Sequence, residues 1–237
     1  MNENLKIVIK EKQNYIKNKT GNDVVFEINN NPDFDAEIGI DFGNWTDKTK
    51  LPKILYKSSI DTKDNVHILH ELIHLENFFI DGYKIIGKLS EDAKIVEVEK
   101  TFKNIPENVL AHKTINDYGF NPIDEDWMKK NSQIDINLTD LKLAVRLVDF
   151  YFFSEFLPNY LKTAKGMLKE AKKVKPEAYT IAENAIGVLD KINYNDKLDY
   201  NSALAKIIKI FVPDPGYCDK IIPLLLIKKN GVWILRW

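Results

Sequence analysis

The spacing of apolar residues predicts two helices and three short strands over residues 5–79. Residues 5–17 carry apolar side chains at helical intervals and predict an opening helix, with Gly21 as a stop signal. Three strand candidates follow, at residues 24–28, 35–43 and 52–56. Residues 61–79 return to helical spacing, and Asp61, Thr62 or Asp64 could cap that helix. The first half therefore combines a small sheet with helices.

The remainder of the chain is mainly helical in pattern. Helices are predicted at residues 91–102, 106–118, 139–173, 176–192 and 200–211. Pro106 suits the first turn of its helix and Gly119 suits a C-cap, while Pro158 interrupts the long segment. Asn230-Gly231 lies between two β-prone runs and predicts a C-terminal β-hairpin. The expected fold class is α+β, with subdomains at residues 1–125 and 126–237 divided by a polar, acidic stretch.

The amino-acid composition indicates which binding partners and which kinds of metal site can be expected. The 237 residues carry a formal net charge of -1, so no overall field favours nucleic acid or an anionic membrane. The single cysteine, Cys218, excludes an intrachain disulfide and a cysteine-based zinc site. No apolar run is long enough for a membrane span, and the first residues lack the apolar core of a signal peptide. We expect a cytoplasmic protein without a nucleic-acid or membrane partner, whose oligomeric state stays open.

The strongest chemical signal lies in the helix predicted at residues 61–79, at His70-Glu71-Leu72-Ile73-His74. Side chains four residues apart project from the same helix face, so His70 and His74 can share one small cation. Zinc favours nitrogen ligands at about 2.0–2.1 Å. Glu71 is rotated by about one hundred degrees around the helix, where its carboxylate can reach a water on the metal. The pattern therefore predicts a zinc-activated water with Glu71 as general base.

Chance is a weak explanation for this motif. With 4 histidines and 15 glutamates in the chain, a shuffled sequence would contain about 0.003 copies. The alternative is a pair of hydrogen-bonded histidines on a buried helix face. The motif resembles the active-site helix of the zincin metallopeptidases. The order of strands, motif helix and later helix is similar to compact gluzincin-like proteins of the ImmA/IrrE type, over residues 24–118. The resemblance implies a zinc ion, His70 and His74 as ligands, and Glu71 as catalytic base.

The third ligand remains open between two residues of one predicted helix. A catalytic zinc needs three protein ligands and an open position. Asn77 and Ile80 stand where a metzincin would have glycine and a ligand, which disfavours that subclass. Glu97 and Glu99 lie on a charged segment and are expected at the surface. His112 is the preferred ligand and Glu107 the alternative; three histidines would depart from the usual gluzincin pattern. His67 lies about two turns from His74 and is expected to be an exposed first-turn residue.

The sequence thus predicts a zinc-dependent hydrolase, most simply a metallopeptidase acting on a peptide or protein substrate. Two other hypotheses stay open. The first is a metal-stabilised binding or regulatory module that keeps the motif without cleaving anything. The second is a structural protein in which His70 and His74 are core residues without a metal.

Overall fold

The structure is a computed structural model that describes residues 3–31, 38–41, 51–63, 65–77, 80, 93–211, 225–229 and 232–236. Side chains are not described for residues 93–104, 197, 201, 204, 205, 208 and the two C-terminal strands. The chain forms two compact units, each assembled from separate stretches of sequence. The first contains residues 1–81 and 111–122, and the second contains residues 82–110 and 123–237.

The first unit places a small mixed sheet beside helices. Its elements are α1 (Glu3–Thr20), β1 (Val25–Ile28), β2 (Ile38–Asp41), β3 (Lys53–Tyr56), α2 (Val66–Glu76) and the last residues of α3 (Ala93–Asp117). The strand order is β1-β3-β2, with β3 parallel to β1 and antiparallel to β2. Phe26 and Ile40 both pair with Ile54, which is completely buried at the centre of the sheet.

The core of this unit is an apolar cluster shared by its helices and strands. It contains Leu5, Ile9, Ile16, Ile38, Ile54, Ile68, Leu69, Leu72, Ile73, Leu75, Ala111 and Ile115. Five of these residues lie on α2, which is therefore apolar over most of its circumference. Removing that surface from water fixes α2, the helix that carries the HExxH motif, in the middle of the unit.

The second unit is built from helices. It contains the first part of α3 and then α4 (Glu125–Lys130), α5 (Asp140–Phe156), a 3₁₀ turn at Pro158–Tyr160, α6 (Leu161–Val174), α7 (Pro176–Leu189) and α8 (Lys197–Phe211). Alanines of α6 and α7 pack with Phe150 and Phe152 of α5 and with Tyr200 of α8 in one core. Strands β4 (Leu225–Lys229) and β5 (Val232–Arg236) pair antiparallel.

The predicted α+β class is confirmed, with helix dominating and a three-stranded mixed sheet. Residues 230 and 231, the predicted hairpin turn, lie outside the described residues, so the C-terminal hairpin stays a prediction. Helix α3 contributes residues to both units, and the subdomain boundary at residue 125 stays a prediction. No helix in the described ranges is both long and apolar enough to cross a lipid bilayer.

Three local predictions were wrong or incomplete. Pro106 lies inside α3 and does not begin a new helix. Burial of Ile105 and Val109 on either side of it offsets the backbone hydrogen bond that proline cannot donate. The N-cap of α2 is Asn65, whereas Asp61 accepts a hydrogen bond from the Lys63 N–H in the preceding turn. Helix α4 was not predicted, since it is only six residues long within a polar stretch.

Candidate metal centre

Helix α2 holds the motif residues through a cap at each end and a buried surface between them. The Asn65 side chain accepts a hydrogen bond from the His67 N–H at 2.8 Å, which satisfies one free donor of the first turn. At the other end, the Asn77 N–H donates to the carbonyls of Ile73 and His74. Because both ends are satisfied and the apolar face is buried, the backbone around the motif has little freedom to rotate.

The two motif histidines meet as the sequence predicts. Their Nε2 atoms are 2.8 Å apart, and their ring centroids are separated by 4.4 Å. A neutral imidazole has one N–H donor and one acceptor nitrogen. At this separation, one Nε2–H group donates a hydrogen bond to the other Nε2 atom. The two Nε2 atoms are therefore close enough to approach one small cation.

His112 joins this pair from the end of α3. Its ring centroid lies 4.9 Å from that of His70. The backbone there is anchored by Ala111 and Ile115, both completely buried in the core of the same unit. Burial, followed by the charges of the nearby His70 and His67 imidazoles, lowers the pKa of His112 well below its ordinary value. His112 is thus kept neutral, which is the form that can ligate a metal.

Glu71 follows His70 directly in the sequence of α2. Its side chain is partly buried, and no hydrogen bond or ion pair to it is found among the described residues. Burial raises the pKa of Glu71 to about 8. A nearby cation has the opposite effect, because it favours the charged carboxylate. An unpaired, partly buried carboxyl group of this kind is available for proton transfer.

The remaining sequence candidates lie on α2 and α3. Glu107 is buried. Glu97 and Glu99 lie on α3 among residues whose side chains are not described. His67 is exposed on the first turn of α2, as predicted. All four histidines of the chain therefore lie on α2 or in the last part of α3.

The three histidines supply the nitrogen donors that zinc favours. As they stand, no three His, Cys, Asp or Glu side chains within the described ranges are grouped so that they could hold a metal ion. Two nitrogens bound tetrahedrally to zinc would be about 3.3 Å apart, and the ring centroids about 5 Å apart. The observed ring separations, 4.4 and 4.9 Å, are close to this value. The Nε2 atoms of His70 and His74 need to separate by about half an ångström, a small side-chain rotation.

One polar residue near this helix was missed by the sequence reasoning. Lys12 of α1 pairs with Glu76 in the last turn of α2, and each side chain is only 13% exposed. A sequence signal existed, because Lys12 continues the helical spacing of the buried residues Leu5, Ile9 and Ile16. A lysine at such a position requires a partner of opposite charge nearby.

Searches of protein-family models, curated proteins and solved structures found no match to this chain.

Proposed function

We propose that this protein is a zinc-dependent hydrolase that cleaves peptide bonds, with His70, His74 and His112 as metal ligands. The observation that carries the proposal is the meeting of these three imidazoles at ring separations of 4.4 and 4.9 Å, with Glu71 next to His70 in the sequence of α2. In this proposal the first unit is a zincin-like domain, the C-terminal strands form a hairpin, and the protein works in the cytoplasm.

Each residue has a defined task. A zinc ion, when bound, lowers the pKa of water and polarises the substrate carbonyl. His70 and His74 hold the ion from one helix, and the neutral His112 supplies a third nitrogen from another. Glu71 accepts a proton from the attacking water and later donates it to the leaving amine. The buried apolar side chains of α2 keep these groups in a fixed relation during the reaction.

The donor set favours His112 over Glu107 as the third ligand. His112 already lies within ring contact of His70, and it is neutral. Three neutral imidazoles leave the full double charge of zinc on the site, which acidifies water more strongly than a site with a carboxylate ligand. We therefore infer a three-histidine site, in contrast with the usual gluzincin pattern.

The test compares cleavage of a peptide library by the zinc-loaded wild type, Glu71→Gln and Glu11→Gln. Glu11 is an exposed residue of α1 and serves as a matched control. We expect cleavage by the wild type and by Glu11→Gln, and loss of cleavage in Glu71→Gln without loss of zinc. If wild type and Glu71→Gln both retain zinc and neither cleaves any peptide, the proposal of a hydrolase fails, and a non-catalytic metal-stabilised module takes its place.

A further inference from the structure

A lysine occupies the buried face of α1. Leu5, Ile9 and Ile16 are buried against the core of the first unit, and Lys12 lies between them at helical spacing. An apolar residue would suit this position better, since burying a charge is costly unless it is paired. The side chain of Lys12 is only 13% exposed to solvent. Its charge therefore requires a specific set of neighbours.

These neighbours come from the two helices that carry the histidines. The Lys12 ammonium forms an ion pair with Glu76, two residues after His74 on α2. It also lies 5.6 Å from the centre of the Tyr118 ring, just after α3 ends and six residues beyond His112. Burial lowers the pKa of Lys12, but the hydrogen bond to Glu76 and the negative charge of Glu76 raise it by more, so the pKa of Lys12 lies above its ordinary value. The lysine is therefore a stable cation.

One ammonium group thus contacts the end of α2 and the segment after α3 from its place on α1. An apolar contact tolerates sliding of one helix along another, whereas a buried ion pair has one favourable register. A one-residue shift along a helix moves a side chain by 1.5 Å along the axis, about three times the opening that zinc requires of the His70–His74 pair. The register of these elements therefore decides whether His112 can reach the metal.

We propose that Lys12 is a positioning residue of the histidine site, which holds Glu76 and Tyr118 together and so sets the distance between His112 and the His70–His74 pair. For the role of the metal, this inference rests on the proposed function. The placement of the imidazoles by Lys12 can be measured without any metal.

The test uses the full chain in four forms: wild type, Lys12→Met, Lys12→Arg and Lys10→Met. Methionine keeps the length of the side chain and removes its charge, arginine keeps the charge, and Lys10 is an exposed control on the same helix. The first readout is the nuclear Overhauser effect between the His70 and His112 rings in metal-free protein, where only four histidines contribute signals. The second readout is zinc affinity by competition with a chromophoric chelator.

We expect Lys12→Met to fold, to lose the Overhauser effect between His70 and His112, and to bind zinc about 10–100-fold more weakly. Lys12→Arg should regain both properties, and Lys10→Met should match the wild type. A folded Lys12→Met protein with the wild-type Overhauser effect would overturn the proposal. If the wild type binds no zinc, the proposed function fails and the Overhauser effect alone decides the role of Lys12.

A second variant covers the case in which Lys12→Met does not fold. Tyr118→Leu removes the contact between Lys12 and the segment after α3 and leaves the ion pair with Glu76 in place. Because Tyr118 is 42% exposed, the core remains intact. We expect the His112 signals to shift and the Overhauser effect to His70 to weaken, while the His74 signals stay in place. Unchanged His112 signals in Tyr118→Leu would contradict the proposal.

Discussion

Asp149 provides a direct test of how much a partly buried charge in the helical unit lowers the free energy of unfolding. It lies on α5 between Val148 and Phe150, both completely buried. The Asp149 side chain retains some exposure, and no hydrogen bond or ion pair reaches its carboxyl group among the residues that the structure describes. Burial raises the pKa of Asp149 to about 7. The replacement Asp149→Asn keeps the shape of the side chain and removes the charge.

The sign and size of the effect follow from linkage. In the unfolded chain the carboxyl group titrates near pH 3.8, and in the folded protein near pH 7. Below about pH 4 it is protonated in both states and has no effect on the free energy of unfolding. Between these values the folded state holds the extra proton, so stability falls as pH rises. Above about pH 7 the full penalty applies, with an upper limit of about 4 kcal/mol for three pKa units. Partial exposure reduces our expectation to about 2 kcal/mol.

Thermal unfolding of wild type, Asp149→Asn and the exposed control Glu170→Gln at pH 4.5 and pH 8 measures this penalty. Burying the new amide also affects the free energy of unfolding of Asp149→Asn, but this effect is the same at both pH values and cancels in the comparison. About a quarter of the penalty is already present at pH 4.5, so we expect the gain in melting temperature of Asp149→Asn over wild type to be about 3–6 °C larger at pH 8 than at pH 4.5. Glu170→Gln should show no comparable change. An equal gain at both pH values would refute the reasoning that burial of Asp149 opposes its charge.

Three further replacements test the elements around the site by urea unfolding. Leu72→Ala should lower the free energy of unfolding by about 2–5 kcal/mol, because Leu72 is completely buried. The control Ile7→Ala, at a residue that is 55% exposed, should change this free energy by less than about 0.5 kcal/mol. Equal losses in the two variants would contradict the assigned core. Asn65→Ala should cost about 1 kcal/mol through loss of the α2 cap, and Asn65→Asp should retain most of it. Gly119→Ala should lower the free energy of unfolding by about 1 kcal/mol, because the backbone at this residue has a φ of 82°. A steric clash does not contribute, since nothing lies within 4 Å of the added carbon. An unchanged stability would show that this turn relaxes freely.

The parts of the fold that follow local rules could be predicted from sequence. The alternation at residues 35–43 indicated a strand, of which Ile38–Asp41 is described, and Gly119 adopts the positive φ expected of a C-cap glycine. The spacing of His70 and His74 was sufficient to predict that their rings meet, since both lie on one helix. His112 was a candidate because it is the one histidine of the chain outside the motif helix and its helix has apolar neighbours at Val109, Leu110 and Ile115.

The remaining features depend on contacts between distant parts of the sequence. Whether Pro106 begins a helix or lies inside one depends on the burial of Ile105 and Val109, which local spacing does not reveal. Lys12 and Glu76 are 64 residues apart, so their pairing could be inferred only as a need of Lys12 for some partner. The ring contact between His70 and His112 likewise depends on how α3 ends in the first unit.

The central claim is that His70, His74 and His112 bind one zinc ion. X-ray absorption at the zinc edge, on protein stripped with chelator, reloaded with zinc and passed through a desalting column, tests this claim most directly. We expect one zinc per chain with three imidazole nitrogens at about 2.0–2.1 Å and one water oxygen at a similar distance. His112→Phe should lose one imidazole from this set. Retention of only a small fraction of an equivalent of zinc, or an unchanged imidazole count in His112→Phe, would contradict the claim.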